Sequence, residues 1–112
     1  MSILFHENTQ TFHLTNGQIS YLMKVLPDGS LGQLYFGRAI RDRESFDHLL
    51  EMHPRPMSAC VFEGDKRFSL EHCLQEYPVY GTTDFRRPAV ELVQPNGSRI
   101  ASFVYQSHTV TP

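Results

Sequence analysis

Apolar and polar positions alternate along the front of this chain, and turn residues cut the alternation into short lengths. Phe12-His13-Leu14-Thr15 is one such length, and it stops at Asn16-Gly17. That pair is the strongest short hairpin signal when φ must be positive twice. Residues 19–26 form the next length, with Ile19, Tyr21, Met23 and Val25 as an apolar set at period two. The even positions carry Ser20 and Lys24 but also Leu22 and Leu26, so the second face is expected to be partly covered. Pro27-Asp28-Gly29-Ser30 reads as a turn, because Pro presets φ and Gly supplies a positive one. Residues 31–37 return as a third strand, which completes a meander.

The last third repeats the pattern. Residues 88–94 and 100–106 read as strands on either side of a second hairpin turn, Pro95-Asn96-Gly97-Ser98. Residues 41–67 differ. Phe46, Leu49 and Leu50 have helical spacing within residues 42–52, where either a short helix or an irregular charged loop fits. Pro54-Arg55-Pro56 ends any helix there. Ala59-Cys60-Val61-Phe62 reads as a short strand and Glu63-Gly64-Asp65 as a turn. The expected fold is all-β: an antiparallel β-sandwich with long irregular loops and at most one short helix. Residues 1–112 form a single domain or a fragment of one.

Composition narrows the function classes. The formal net charge is −2 and no run of Lys and Arg occurs, so nucleic acid is not an expected partner. No apolar stretch approaches the roughly 20 residues of a membrane span. The N-terminus lacks the basic and apolar regions of a secretory signal. Two cysteines, Cys60 and Cys73, suit a reducing cytoplasm as small hydrophobes, with a disulfide as the less favoured alternative. No Gly-rich phosphate loop opens a helix, so no nucleotide cofactor is expected.

Candidate chemistry is sparse. The carboxylates Glu63, Asp65, Glu71, Glu76 and Asp84 are the material from which a glycosidase pair would be drawn. Their bland reading is as solvated turn residues and as partners of Lys66, Arg67, Arg86 and Arg87. Six histidines, at 6, 13, 48, 53, 72 and 108, match no metal-ligand spacing, so no metal is expected. Cys73 beside His72 shows no base and orienting group in sequence, and a buried thiol is the better reading. Tyr77, Tyr80 and Phe85 could present faces to a sugar, or pack as core and subunit interface.

The densest block is residues 68–86, with the run Gln75-Glu76-Tyr77-Pro78-Val79-Tyr80-Gly81-Thr82-Thr83-Asp84-Phe85-Arg86. Together with Phe12-His13-Leu14, Tyr35-Phe36-Gly37 and Asn96-Gly97-Ser98-Arg99-Ile100, it resembles the N-terminal β-domain of bacterial α-galactosidases of glycoside hydrolase family 36. The resemblance implies part of a β-supersandwich that precedes a (β/α)8 barrel holding both catalytic aspartates. It implies no catalytic residue in this chain. It also implies a cytoplasmic parent enzyme that releases terminal α-galactose from melibiose- and raffinose-type sugars with retention. The expected partners are the barrel domain, identical subunits and, in the full enzyme, the galactoside. In tetrameric members a loop of this domain helps wall a neighbour's active site. That loop falls between residues 53 and 67, and only Lys66 and Arg67 are carried over as substrate-binding candidates. An independent carbohydrate-binding β-sandwich is the alternative.

Overall fold

The computed structural model describes residues 1–54, 65–81 and 86–112. Five strands form one antiparallel sheet in chain order: β1 Ser2–His6, β2 Thr11–Thr15, β3 Ile19–Val25, β4 Leu31–Arg38 and β5 Leu74–Gln75. Two single 3-10 turns, Asp47–Leu49 and Leu70–His72, are the other regular elements among the described residues. The fold is therefore all-β and antiparallel, as the alternation and turn residues indicate. Residues 42–52 contribute only the first of these turns rather than an α-helix.

The turns explain the register. Between the paired residues Thr15 and Ser20, Asn16 Oδ1 accepts the N–H groups of Gln18 and Ile19, both at 2.9 Å. Only Gly17 takes a positive φ there, at 86°. The loop is thus an Asn-capped turn and not the two-residue form with two positive φ angles. Between β3 and β4, Asp28 Oδ1 accepts from the Ser30 N–H at 3.1 Å and the Ser30 hydroxyl at 2.7 Å. Gly29 sits at φ 89°. A bulge follows, because Leu22 faces Tyr35 while Met23 faces Gln33.

Burial of the sheet reverses the first impression of β3. Ser20 and Leu22 are completely buried, whereas Ile19 is 43% exposed and Tyr21, Met23 and Val25 are half-buried. The mixed face is the fully covered one, because the chain after β4 folds back across it. Phe46 meets the His13 ring at 5.7 Å, and Lys24 pairs with Asp47 at 3.0 Å. On the other face Phe5 and Phe12 pack against each other and against His108 near the C-terminus. Phe36 on that side remains 63% exposed. A core cluster of Leu26, Phe68, Leu70 and Cys73, with Leu50 and Met52 against it, joins the sheet to the second 3-10 turn.

Residues 88–94 and 100–106 are not strands. Their turn forms as read, with Gln94 N–H on Ser98 O at 2.9 Å and Gly97 at φ 85°. Beyond it the Gln94 side chain, not a ladder N–H, donates to Ile100 O. Among the described residues, the other backbone bonds of these segments go singly to separate places: Ala89 to Pro78, Ala101 to Tyr80 and Tyr105 to Gly29. A strand needs consecutive ladder bonds with one neighbour, and these segments have none. The strand read at residues 59–62 lies outside the described residues.

The radius of gyration is 15.4 Å, against about 13 Å for a self-contained domain of this length.

Candidate functional site

The block from residue 65 to residue 81 carries most of the sequence-selected residues. It starts with a turn in which Asp65 Oδ1 accepts the Arg67 N–H at 2.9 Å, and Phe68 N–H reaches Asp65 O at 3.2 Å. This puts Phe68 into the core with no exposure. Ser69 then caps the 3-10 turn by accepting the Glu71 N–H at 3.2 Å. Leu70 and Cys73 point inward, and β5 adds to the β4 edge. Arg86 Nη2 donates to Leu70 O and Cys73 O, both at 2.8 Å. The density of this block is thus first a matter of packing.

Its outer side carries Lys66 and Arg67, both exposed. Arg67 grips Asp65 through two parallel bonds, Nε to Oδ1 at 3.0 Å and Nη2 to Oδ2 at 2.7 Å. The Arg67 side chain, followed by its backbone N–H, pulls the Asp65 carboxyl down to about 2. Two of the five guanidinium donors are used in that fork, which fixes the plane of the rest. Tyr77 is 55% exposed and meets the 45% exposed Phe103 at 5.9 Å between ring centres. Tyr80 is 41% exposed beside a cleft of about 330 Å³ lined by Arg86, Arg87, Pro88, Glu91 and Arg99.

Among the described residues, Asp65, Glu71 and Glu76 are not seen to assemble into a carboxylate pair. Asp65 is held by Arg67, and Glu76 accepts the Tyr21 hydroxyl. Glu71 is exposed. Glu63 and Asp84 lie outside the described residues, as do Cys60 and Phe85. Cys73 is buried with its Sγ 3.6 Å from Ser69 O. Burial, then the charge of Asp28, raises its thiol to about 11, which makes it a poor nucleophile.

Two constellations appear that sequence spacing did not signal. The first joins Ser20, His13 and Asp42. Ser20 Oγ lies 2.8 Å from His13 Nε2, and His13 Nδ1 donates to Asp42 Oδ1 at 2.8 Å. The connectivity is that of a serine-hydrolase triad, but Ser20 is fully buried and His13 is 1% exposed. Ser20 Oγ also accepts the Ile40 N–H at 3.1 Å, and His6 adds a 2.9 Å bond to Asp42. No substrate atom can reach the serine, so the network acts as a polar clamp that holds residues 40–42 on the sheet. The second brings together Glu51, His53 and His72. These residues come from two segments 19 positions apart, so no local motif could announce them.

Residues 29–112 match the family model for the glycosyl hydrolase family 36 N-terminal domain. The α-galactosidase AgaA of Geobacillus stearothermophilus is 36% identical over 116 residues, covering 98% of this chain and 15% of that protein. The solved structure of α-galactosidase AgaB from the same organism superposes with a TM-score of 0.79 at 36% identity. It covers 96% of this chain and 14% of its own. A variant of AgaA solved in complex with raffinose gives 0.74 at 38% identity, over 87% of this chain and 13% of its own. The chain thus spans about 15% of the length of the relatives it matches. It belongs to the N-terminal domain family of glycoside hydrolase family 36.

Proposed function

We propose that this chain is the non-catalytic N-terminal domain of an α-galactosidase acting on terminal α-galactosides of the melibiose and raffinose type. The observation that carries this reading is coverage. Nearly all of the chain matches α-galactosidases, yet it accounts for only about 15% of them. The partly uncovered sheet face, with Phe36 exposed, supports packing against further parts of the same enzyme. No helix among the described residues is long and apolar enough to cross a membrane. A buried, unreactive Cys73 is in keeping with a cytoplasmic parent enzyme.

In this reading the domain supports oligomer assembly, and Lys66 and Arg67 help wall the active site of a neighbouring subunit. The exposure of both residues and the fixed plane of the Arg67 fork support that role. The test is hydrolysis of p-nitrophenyl-α-galactoside by the 112-residue chain beside a protein extended along its gene. Activity in the longer protein alone is expected, and turnover by the short chain would overturn the reading. In the active longer protein, Arg67→Ala should raise KM about tenfold with little change in kcat, as loss of one hydrogen bond to substrate would. An unchanged KM removes Arg67 from the site wall.

The exposed Tyr77–Phe103 pair favours one second reading, an independent carbohydrate-binding module. Titration of the chain with raffinose decides it: heat or shift changes that vanish in Tyr77→Ala support the module, and no response at millimolar sugar ends it.

A further inference from the structure

Pro54 restricts His53 to extended backbone, because the proline ring clashes with a helical residue before it. Leu50 is already extended, at φ −93° and ψ 122°. Glu51 and His53 therefore stand two residues apart on extended chain, where side chains share a side. His72 closes the second 3-10 turn, whose start is fixed by the Ser69 cap and whose Leu70 is anchored in the core. The core also packs against Leu50 and Met52, so both segments are held to the same hydrophobic anchor.

The juxtaposition leaves an unmet requirement. Both ring nitrogens of His72 are shielded from solvent and have no hydrogen-bond partner. Buried polar atoms without partners are uncommon, and each one needs an account. The His53 ring lies almost parallel to His72, with centres 4.7 Å apart. Its Nδ1 is 3.2 Å from Glu51 Oε1. One donor atom from each of the three residues lies within 4.8 Å of the others.

From this geometry we propose that Glu51, His53 and His72 form a binding site for a first-row divalent cation of the Zn²⁺ type. Two imidazoles and one carboxylate are a ligand set such ions favour. Bonds of about 2.1 Å in a tetrahedron put neighbouring ligand atoms about 3.4 Å apart. The Glu51–His53 spacing is close to that, at 3.2 Å, and His72 needs a rotation of its ring and a contraction of no more than about 1.4 Å from the 4.8 Å limit. Each neutral ring gives the metal the lone pair of its unprotonated nitrogen and keeps its single proton on the other, and a ring that starts as imidazolium first releases one proton to solvent. The fourth position is left for water. The site would tie the extended segment at residues 51–53 to the 3-10 turn at 70–72 and satisfy one orphaned nitrogen of His72.

The test is competition of the 112-residue chain with a zinc-chelating dye, with thermal unfolding followed in parallel. One equivalent of Zn²⁺ should bind and raise the melting temperature. His53→Ala and His72→Gln should each weaken binding at least ~10-fold, with their metal-free melting temperatures recorded to separate ligation from folding. Cys60→Ser should keep the wild-type affinity. The proposal is overturned by no saturable binding, by undiminished affinity in both histidine variants, or by loss of affinity in Cys60→Ser. None of these outcomes bears on whether the longer protein cleaves galactosides.

Discussion

Tyr21 and Asp42 show how single side chains on the two faces of the sheet make this fold depend on pH. Burial, then the hydrogen bond to Glu76 and its charge, raises the Tyr21 phenol to about 12. A raised folded-state value means that the folded chain holds its proton longer than the unfolded one. The associated stability is present below pH 10 and is lost as pH rises through 12. Absorbance titration should therefore show a late-ionising phenol, and Tyr21→Phe should remove that component. For Asp42, burial alone would raise the carboxyl, but hydrogen bonds and charge from His6 and His13 outweigh it and hold it below its usual range. Here the stability is present above about pH 4 and is lost as pH falls through the lowered value. Acid unfolding of Asp42→Asn should accordingly show a shallower loss than that of the parent chain. His13→Ala, which takes one partner each from Ser20 and Asp42, should cost about 2–3 kcal/mol by urea unfolding.

Among the elements, β4 is the one with least room to change. A Cβ on Gly32 would stand 2.7–2.8 Å from three atoms of Leu26, and Leu26 is 3% exposed in the core cluster. Gly32 also pairs with Gln75 of β5, so the backbone cannot retreat without breaking that short strand. Gly32→Ala should destabilise by about 1–3 kcal/mol, the cost of overpacking, and should raise amide exchange at Gln75. Unchanged exchange there would mean that Leu26, and not the β4–β5 pairing, gives way. Residues 88–106 belong to the other extreme. Their backbone bonds are isolated, whereas β1 to β4 have full ladders.

At the scale of the whole molecule, one face of the sheet is closed by residues 40–47 and the other only in part, by the C-terminal residues. Phe36, Val93 and Val104 are each more than 60% exposed. The radius of gyration exceeds that of a closed domain of the same length by about 2 Å. Exposed apolar surface of this kind drives association. In sedimentation velocity the chain should run larger than its 12.9 kDa, and Phe36→Ser should shift it toward the monomer. A monomeric parent chain would count against the accessory-domain reading.

Local chemistry was enough to determine three turns and, at the first two, the strands they join. Asn16-Gly17, Asp28-Gly29 and Asn96-Gly97 all mark real turns, because cap geometry and positive φ are properties of a few adjacent residues. Strand β1 was not read from the sequence; its Ile3, Leu4 and Phe5 find their place only by pairing across to β2. The all-β class and the family resemblance were likewise legible, the latter in the block from residue 68 to residue 86. Which face of β3 is buried was not, since that depends on where residues 40–47 return. Nor was the fate of residues 88–106, whose alternation suits a strand but whose backbone finds no continuous neighbour. The Ser20–His13–Asp42 clamp and the Glu51–His53–His72 cluster join segments 7 to 29 positions apart. Only the folded sheet and the core beneath it bring them within bonding reach, because no sequence spacing encodes a contact made across separate elements.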